Sequence, residues 1–319
     1  MHLYASTMLV ALAGGVGAAR FLSGLVRVVP EDVLTVIVNT ADDETFWGLK
    51  VSPDLDTITY TLAGCVHPEQ GWGRVDETFT VIDGLARFGC DAWFRLGDHD
   101  LSTHLFRTSR LAEGATLAEV TEEITRAWGL QPKLLPMSND RVATRVTIRD
   151  DDGSLTNLAM QDWFVKERSR GPVTAVDFDG AMEASPAPGV LEAIATADTV
   201  IVCPSNPVIS IGPILAIPGI REALKERRDR VVGISPIIAG APVKGPADKL
   251  MAPLGIEVTC VGVARAYADF CGTLVIDSLD ARHTTAIEEL GVHAVVTNTL
   301  MTDARVSAAL AQCTLEAVA

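Results

Sequence analysis

Basic residues are scarce in this chain of 319 residues: 26 Lys and Arg stand against 41 Asp and Glu, a formal charge of −15. An acid surplus of that size argues against general attraction to nucleic acid or to an anionic membrane. It leaves room for an anionic ligand, because backbone donors and a cation can reverse the field inside a cleft. Cysteine is sparse as well. Cys65, Cys90, Cys203, Cys260, Cys271 and Cys313 form no C-x-x-C pair and no zinc-like array. The apolar setting of several reads as reduced thiols buried in a cytoplasmic protein. No apolar run approaches the roughly 18–20 residues that cross a bilayer. Met8–Ala13 is apolar but has no basic lead-in and runs straight into a glycine turn, so it reads as a core strand and not as a signal peptide.

Several catalytic signatures are missing too. There is no H-E-x-x-H, no G-x-S-x-G elbow and no Gly-Lys-Ser/Thr. His99 and His104 lie five apart, an offset that does not place them squarely on one helix face, so a transition-metal site is set aside. Repeats, low-complexity segments and polar linkers are absent.

What remains is a strand–helix alternation with 48% apolar residues, enough for a large core. Strands are expected at 8–13, 33–38, 173–178, 198–203, 231–235, 273–277 and 293–297. Helices are expected at 18–28, 55–64, 76–88, 101–112, 116–128 and 218–228. The alternating run 143–148 and the turn Asp150-Asp151-Asp152-Gly153 signal an antiparallel hairpin over about 143–159. The fold expected is therefore α/β: one doubly wound, mainly parallel, Rossmann-like sheet formed by a single domain over 1–319. It is interrupted at about 65–170 by a mainly helical and hairpin region.

Unusual content gathers where the strands end. Asn39-Thr40-Ala41-Asp42-Asp43 and Pro53-Asp54-Leu55-Asp56-Thr57 place four carboxylates within fifteen residues of one another. Carboxylates collected after a buried strand suit a hard divalent cation that bridges to phosphate; the plain alternative is a solvated acidic loop. Gly14-Gly15-Val16-Gly17 opens a helix and suggests phosphate held by backbone N–H groups. Arg20 stands where a dinucleotide fingerprint would have its third glycine, so the turn reads equally as a tight strand–helix connection. Ser205-Asn206-Pro207 supplies polar side chains for a base, a ribose or a phosphate, or else caps a helix. Lys244 is one of few cations near these loops, fit for phosphate or for the surface. Trp47, Trp72, Trp93, Trp128 and Trp163 frame an aromatic substrate or fill the core. In an open parallel sheet all these loops share one crevice.

In their order along the chain these motifs resemble the 2-phospho-L-lactate transferases of coenzyme F420 biosynthesis, the CofD/FbiA family. Further matches are Leu96-Gly97-Asp98-His99-Asp100, Leu135-Pro136-Met137-Ser138-Asn139-Asp140, Ser235-Pro236-Ile237-Ile238 and Leu300-Met301-Thr302-Asp303. The family usually has arginine where this chain has His99. The resemblance implies that the ribityl hydroxyl of the deazaflavin FO attacks the guanosine-linked phosphate of an activated phospho-acid and releases GMP. The acid is 2-phospholactate, phosphoenolpyruvate or 3-phosphoglycerate, and no motif selects among them.

By the same resemblance Asp42 and Asp54 are catalytic ligands of Mg²⁺ with Asp43 in support, and Asp56 and Arg95 contact FO. Gly14, Gly15, Gly17, Ser205, Asn206 and Lys244 form the guanosine diphosphate site. No general base is singled out, and a cytoplasmic homodimer without nucleic acid or membrane partners is expected. A non-enzymatic nucleotide-sugar-binding regulator of the gluconeogenesis-factor type shares the glycine loop and Ala-Asp-Asp, but it lacks Pro-Asp-Leu-Asp-Thr. A nicotinamide-dependent oxidoreductase is disfavoured by Arg20.

Overall fold

Short runs of Val, Ile and Leu build the centre of the molecule. In the computed structural model, which describes residues 7–318, seven of them form one parallel sheet. In chain order these are β1 (Leu9–Ala13), β2 (Leu34–Val38), β5 (Lys133–Pro136), β9 (Thr199–Val202), β10 (Val231–Ile234), β13 (Thr273–Asp277) and β14 (His293–Thr297). The sheet order is β14-β13-β10-β9-β1-β2-β5, with β1 at the point where the winding reverses. Leu9 pairs with Leu34 on one side and Thr199 on the other, both in parallel. Successive residues of β1 enter two separate cores. Val10 and Leu12 pack on one face, and Leu9, Ala11 and Ala13 on the other. That double burial is why these strands read as unbroken apolar runs.

Between β2 and β5 the chain leaves the sheet. It forms the hairpin β3 (Glu44–Phe46) and β4 (Leu49–Val51), then α2 (Pro53–Leu62), α3 (Thr80–Arg87), α4 (Asp100–Ala112) and α5 (Leu117–Ala127). Pro53 opens α2 with Asp54 and Asp56 in the first turn, both suited to a helix start. Thr116 and Glu119 close a capping box on α5. A small satellite core of Val51, Ile82, Leu96 and Leu101 knits this region together.

Two expectations need correction. Residues 173–178 were expected in the parallel alternation. The structure places β8 (Val173–Asp179) antiparallel to β6 (Ala143–Arg149) in a separate sheet of order β7-β6-β8, where β7 is Leu155–Ala159. Thr174, Asp177 and Asp179 on β8 are exposed, which a strand covered on both faces does not permit. The expected hairpin is therefore two-thirds of a three-stranded sheet. The segment Lys133–Pro136, of which only Leu135-Pro136 stood in a motif and none was expected as a strand, is the edge strand of the main sheet and pairs in parallel with β2. A two-residue ladder, β11 (Ile237–Ile238) with β12 (Ala241–Pro242), carries the chain to Lys244. Among the described residues no single helix is long and apolar enough to cross a membrane, and the six cysteines are all free.

Candidate active site

The loops at the carboxyl ends of β1, β2, β9, β10 and β14 surround one cavity of about 590 Å³. It opens at the switch point between β1 and β9, where open parallel sheets bind ligands. Gly14, Gly15, Gly17, Asp42, Asp54, Asp56, Arg95, Ser205, Asn206 and Lys244 all line it.

Asp42 follows β2 and Asp54 sits in the first turn of α2. One side chain joins them: Asn39 Nδ2 donates to Asp42 Oδ2 at 3.2 Å and to Asp54 Oδ2 at 3.0 Å. Asn39 is fully buried, and its own Oδ1 accepts from the Ala41 amide at 3.0 Å. Burial raises both carboxyls above the ordinary range, and the charge of Asp54 pushes Asp42 up further, to about 8. Two carboxylates so close, with Asp42 Oδ1 buried and lacking a hydrogen-bond partner, fit a hard cation. Among the described residues no three acidic, His or Cys side chains converge into a complete donor set. A cation would therefore take two carboxylates and fill its shell with water and substrate oxygens, the usual habit of Mg²⁺. Asp43 does not line the cavity. It accepts from Ser52 Oγ at 2.6 Å, and burial holds its carboxyl well above the usual range.

The glycine turn has steric reasons for its composition. A Cβ on Gly14 would lie 2.8 Å from Asp54 Oδ2, and one on Gly17 would lie 2.2 Å from the Pro204 carbonyl oxygen. Gly15 has φ +69, left-handed backbone that side chains disfavour. α1 (Gly15–Leu25) starts without a side-chain cap, so its first amides remain available for an anion. The Gly15 amide faces Asp54 and partly offsets the rise that burial gives its carboxyl. Ser205 Oγ donates to the Gly14 carbonyl at 2.8 Å and ties the two loops together. Of the two roles expected of Asn206 the structure shows the capping one: Oδ1 caps the following helical turn at Val208 and Ile209. Its Nδ2 is buried without a partner at the cavity.

Asp56 lies in a buried network. Both of its oxygens meet the Arg107 guanidinium, Nη1 to Oδ2 at 3.1 Å and Nη2 to Oδ1. His104 Nδ1 is 3.7 Å from Asp56 and its Nε2 3.3 Å from Asp100. The Tyr60 hydroxyl donates to Asp100 at 2.5 Å. Arg95 stands at the rim, paired with Asp83 at 2.8 Å and lying over Phe79. Trp93, Phe94, Trp72 and Phe164 give the cavity an aromatic wall, with Phe94 stacked on Phe46 at 4.0 Å. Trp163 is core, Trp47 packs against the satellite core, and Trp128 carries Arg74 over its ring.

Two quoted motifs have structural explanations. Gly97 leaves room for Glu77, whose carboxylate accepts from the His99 and Asp100 amides. Asp98 accepts from Thr78, Thr80 and Val81 at the start of α3, and those bonds hold its carboxyl down at about 2. His99 does not line the cavity. Ser138 and Asp140 tie the end of β5 to Ser185. Sequence reasoning missed Arg107, Tyr60 and the bridging role of Asn39. Asn39 stood inside a quoted motif, whereas Arg107 meets a partner 51 positions away and carried no local signal.

Fold and cavity together define an open α/β protein that joins an uncapped helix start to a carboxylate pair at its switch point. The family described as "2-phospho-L-lactate transferase CofD" matches residues 9–311, and the chain belongs to that family of transferases. It is 48% identical over 312 residues to a phosphoenolpyruvate transferase of Streptomyces griseus, covering 97% of both chains. It is 39% identical over 309 residues to a 2-phospho-L-lactate transferase of Methanosarcina mazei, covering 97% of this chain and all of that one. A solved structure from Bacillus halodurans, a member of the UPF0052 family, superposes with TM-score 0.61 at 18% identity over 97% of this chain and 99% of that one. That likeness concerns the architecture alone.

Proposed function

We propose that the protein transfers a phospho-acid from a guanosine diphosphate-linked donor to the terminal ribityl hydroxyl of FO, releasing GMP, in coenzyme F420 biosynthesis. The observation that carries this reading is the Asn39 clamp. It holds Asp42 and Asp54 beside the uncapped start of α1 in one cavity with an aromatic wall.

The glycine turn and Asn206 Nδ2 hold the diphosphate. Asp42 and Asp54 would hold Mg²⁺, which when bound would supply neutralisation of the phosphate charge. The FO hydroxyl forms a new O–P bond at the phosphate bearing the acid, and the P–O bond to GMP breaks. The hydroxyl proton passes to an oxygen of the carboxylate pair. Trp93, Phe94, Trp72 and Phe164 offer the flat apolar surface that a tricyclic ring needs. Arg95 at the rim is released from Asp83 to meet the ring or the ribityl chain, while Asp56 acts chiefly through Arg107.

Relatives named for phosphoenolpyruvate and for 2-phospho-L-lactate support the class of donor and leave the acid to experiment. The test is to mix purified protein, Mg²⁺ and FO with each guanosine-linked acid and weigh the products. A phosphodiester of FO with one acid is expected, and no product with any acid refutes the proposal. A homodimer is also proposed, to be checked by light scattering. The regulator alternative predicts thermal stabilisation by a UDP-sugar and none by GDP.

A further inference from the structure

The cavity has three Lys or Arg side chains among its described lining: Arg20, Arg95 and Lys244. Arg95 is engaged by Asp83. Arg20 has no carboxylate partner among the described residues, in a chain with fifteen more acids than bases. Its Nη2 lies 3.8 Å from the point where a Cβ on Gly71 would sit, and Lys244 Nζ donates to the Gln70 carbonyl at 2.6 Å. The two cationic heads therefore lie against one dipeptide, Gln70-Gly71, whose Gly71 also faces Val16 in the first turn of α1. Partial burial and the charge of Arg20 lower the Lys244 ammonium from its usual value. Like charges brought together without an acid between them form a seat for an anion.

The seat stands beside the helix start and is separate from it. Helical side chains lean toward the N-terminus, so Arg20 reaches over the first turn of α1 and flanks the amides assigned to the diphosphate. A guanidinium presents a fork that matches a carboxylate, and an ammonium bonded once to Gln70 keeps two donors free. The donor carries one anionic group beyond its phosphates, the carboxylate of the acid. We infer that Arg20 and Lys244 clamp the carboxylate of the phospho-acid, Arg20 as the fork and Lys244 as the point charge. This rests on the transferase reading above. Such a clamp selects α-carboxylates over neutral groups and does not distinguish a methyl from a methylene, so it suits either acid for which the relatives are named.

Three ligands separate the possibilities: GDP, the guanosine-linked phospholactate, and the same donor with its carboxylate converted to a carboxamide. Arg20→Met should raise KM for the acid donor about 10- to 100-fold, the usual effect of losing a hydrogen bond to a charge. Its Kd for GDP by calorimetry should stay within about threefold. Arg20→Lys should recover part of the loss. Wild type should prefer carboxylate to carboxamide, and Arg20→Met should lose most of that preference. A variant that weakens GDP and the donor by the same factor would place Arg20 on the diphosphate and overturn the clamp, as would an undiminished preference for the carboxylate. Failure of wild type to bind GDP or transfer any acid would instead refute the underlying transferase reading, before any variant is compared.

Discussion

Asp56→Ala separates a binding role from a structural one. Asp56 is 5% exposed and Arg107 2%, and both carboxylate oxygens face the guanidinium. Removing the carboxylate leaves a buried guanidinium with the Lys50 carbonyl at 3.4 Å and His104 at 3.4 Å as its remaining hydrogen-bond contacts, and with the carboxylates of Asp43 and Asp100 only as more distant charges. Deleting one partner of a buried pair costs about 3–5 kcal/mol. At about 2 °C per kcal/mol for a chain of this size, Tm should fall by about 6–10 °C. Water entering the vacated space moves the loss toward the lower end. Calorimetric melting measures it, with FO affinity followed in parallel by fluorescence. Asp56→Leu combined with Arg107→Leu should recover a large part of the lost stability, because neither charge is then left alone. An Asp56→Ala protein that melts within a degree of wild type and yet fails to bind FO would refute this reasoning and assign Asp56 to the ribityl chain.

Gly14→Ala keeps a permissible backbone, φ −159, but sets a methyl 2.8 Å from Asp54 Oδ2. Stability should drop by about 1–3 kcal/mol while turnover falls far more; unchanged turnover would deny the close approach a role. Asp42→Asn or Asp54→Asn should cost turnover by orders of magnitude and raise Tm in metal-free neutral buffer, since each removes a carboxyl that folding must either protonate or bury as a charge. A lowered Tm with normal turnover would count against the pair. Because both carboxyls are raised, the folded state holds protons that the unfolded chain has released, and stability is lost as pH climbs from the ordinary value of 3.8 through about 8. In EDTA the Tm of wild type should therefore fall over that window. Mg²⁺ or Asp42→Asn should flatten the slope, and a flat EDTA profile would contradict the shift.

Legibility in the sequence followed the physics of each element. Strands buried on both faces, such as β1 and β2, announce themselves as apolar runs. β5 has four residues, begins with an exposed Lys133 and ends in Pro136, so little separates it from a loop until its pairing with β2 is seen. β8 carried a usable signal, polar residues interspersed among apolar ones, which belongs to a half-exposed antiparallel strand. The cavity-lining glycines, Asp42 and Asp54 stood in local motifs at strand ends, where topology alone gathers them. Arg107 was invisible because its meaning lies in a partner on another helix, and Arg20 looked merely like a missing glycine.

The central strand has a consequence for the order in which the protein comes into being. β1 is made early, yet one of its two neighbours is β9, and the amide of Met8 hydrogen-bonds Asp198, 190 positions onward. Closing so long a loop costs entropy that no local contact offsets, and such pairings form slowly. On the ribosome, the glycine turn at residues 14–17 must wait for residues 199–206 to emerge before Ser205 can brace it. The nascent chain can thus gather its carboxylate pair, both members lying before residue 55, while the opposite wall of the cleft is still unsynthesised. Ligand binding becomes a report that the second half of the sheet has docked.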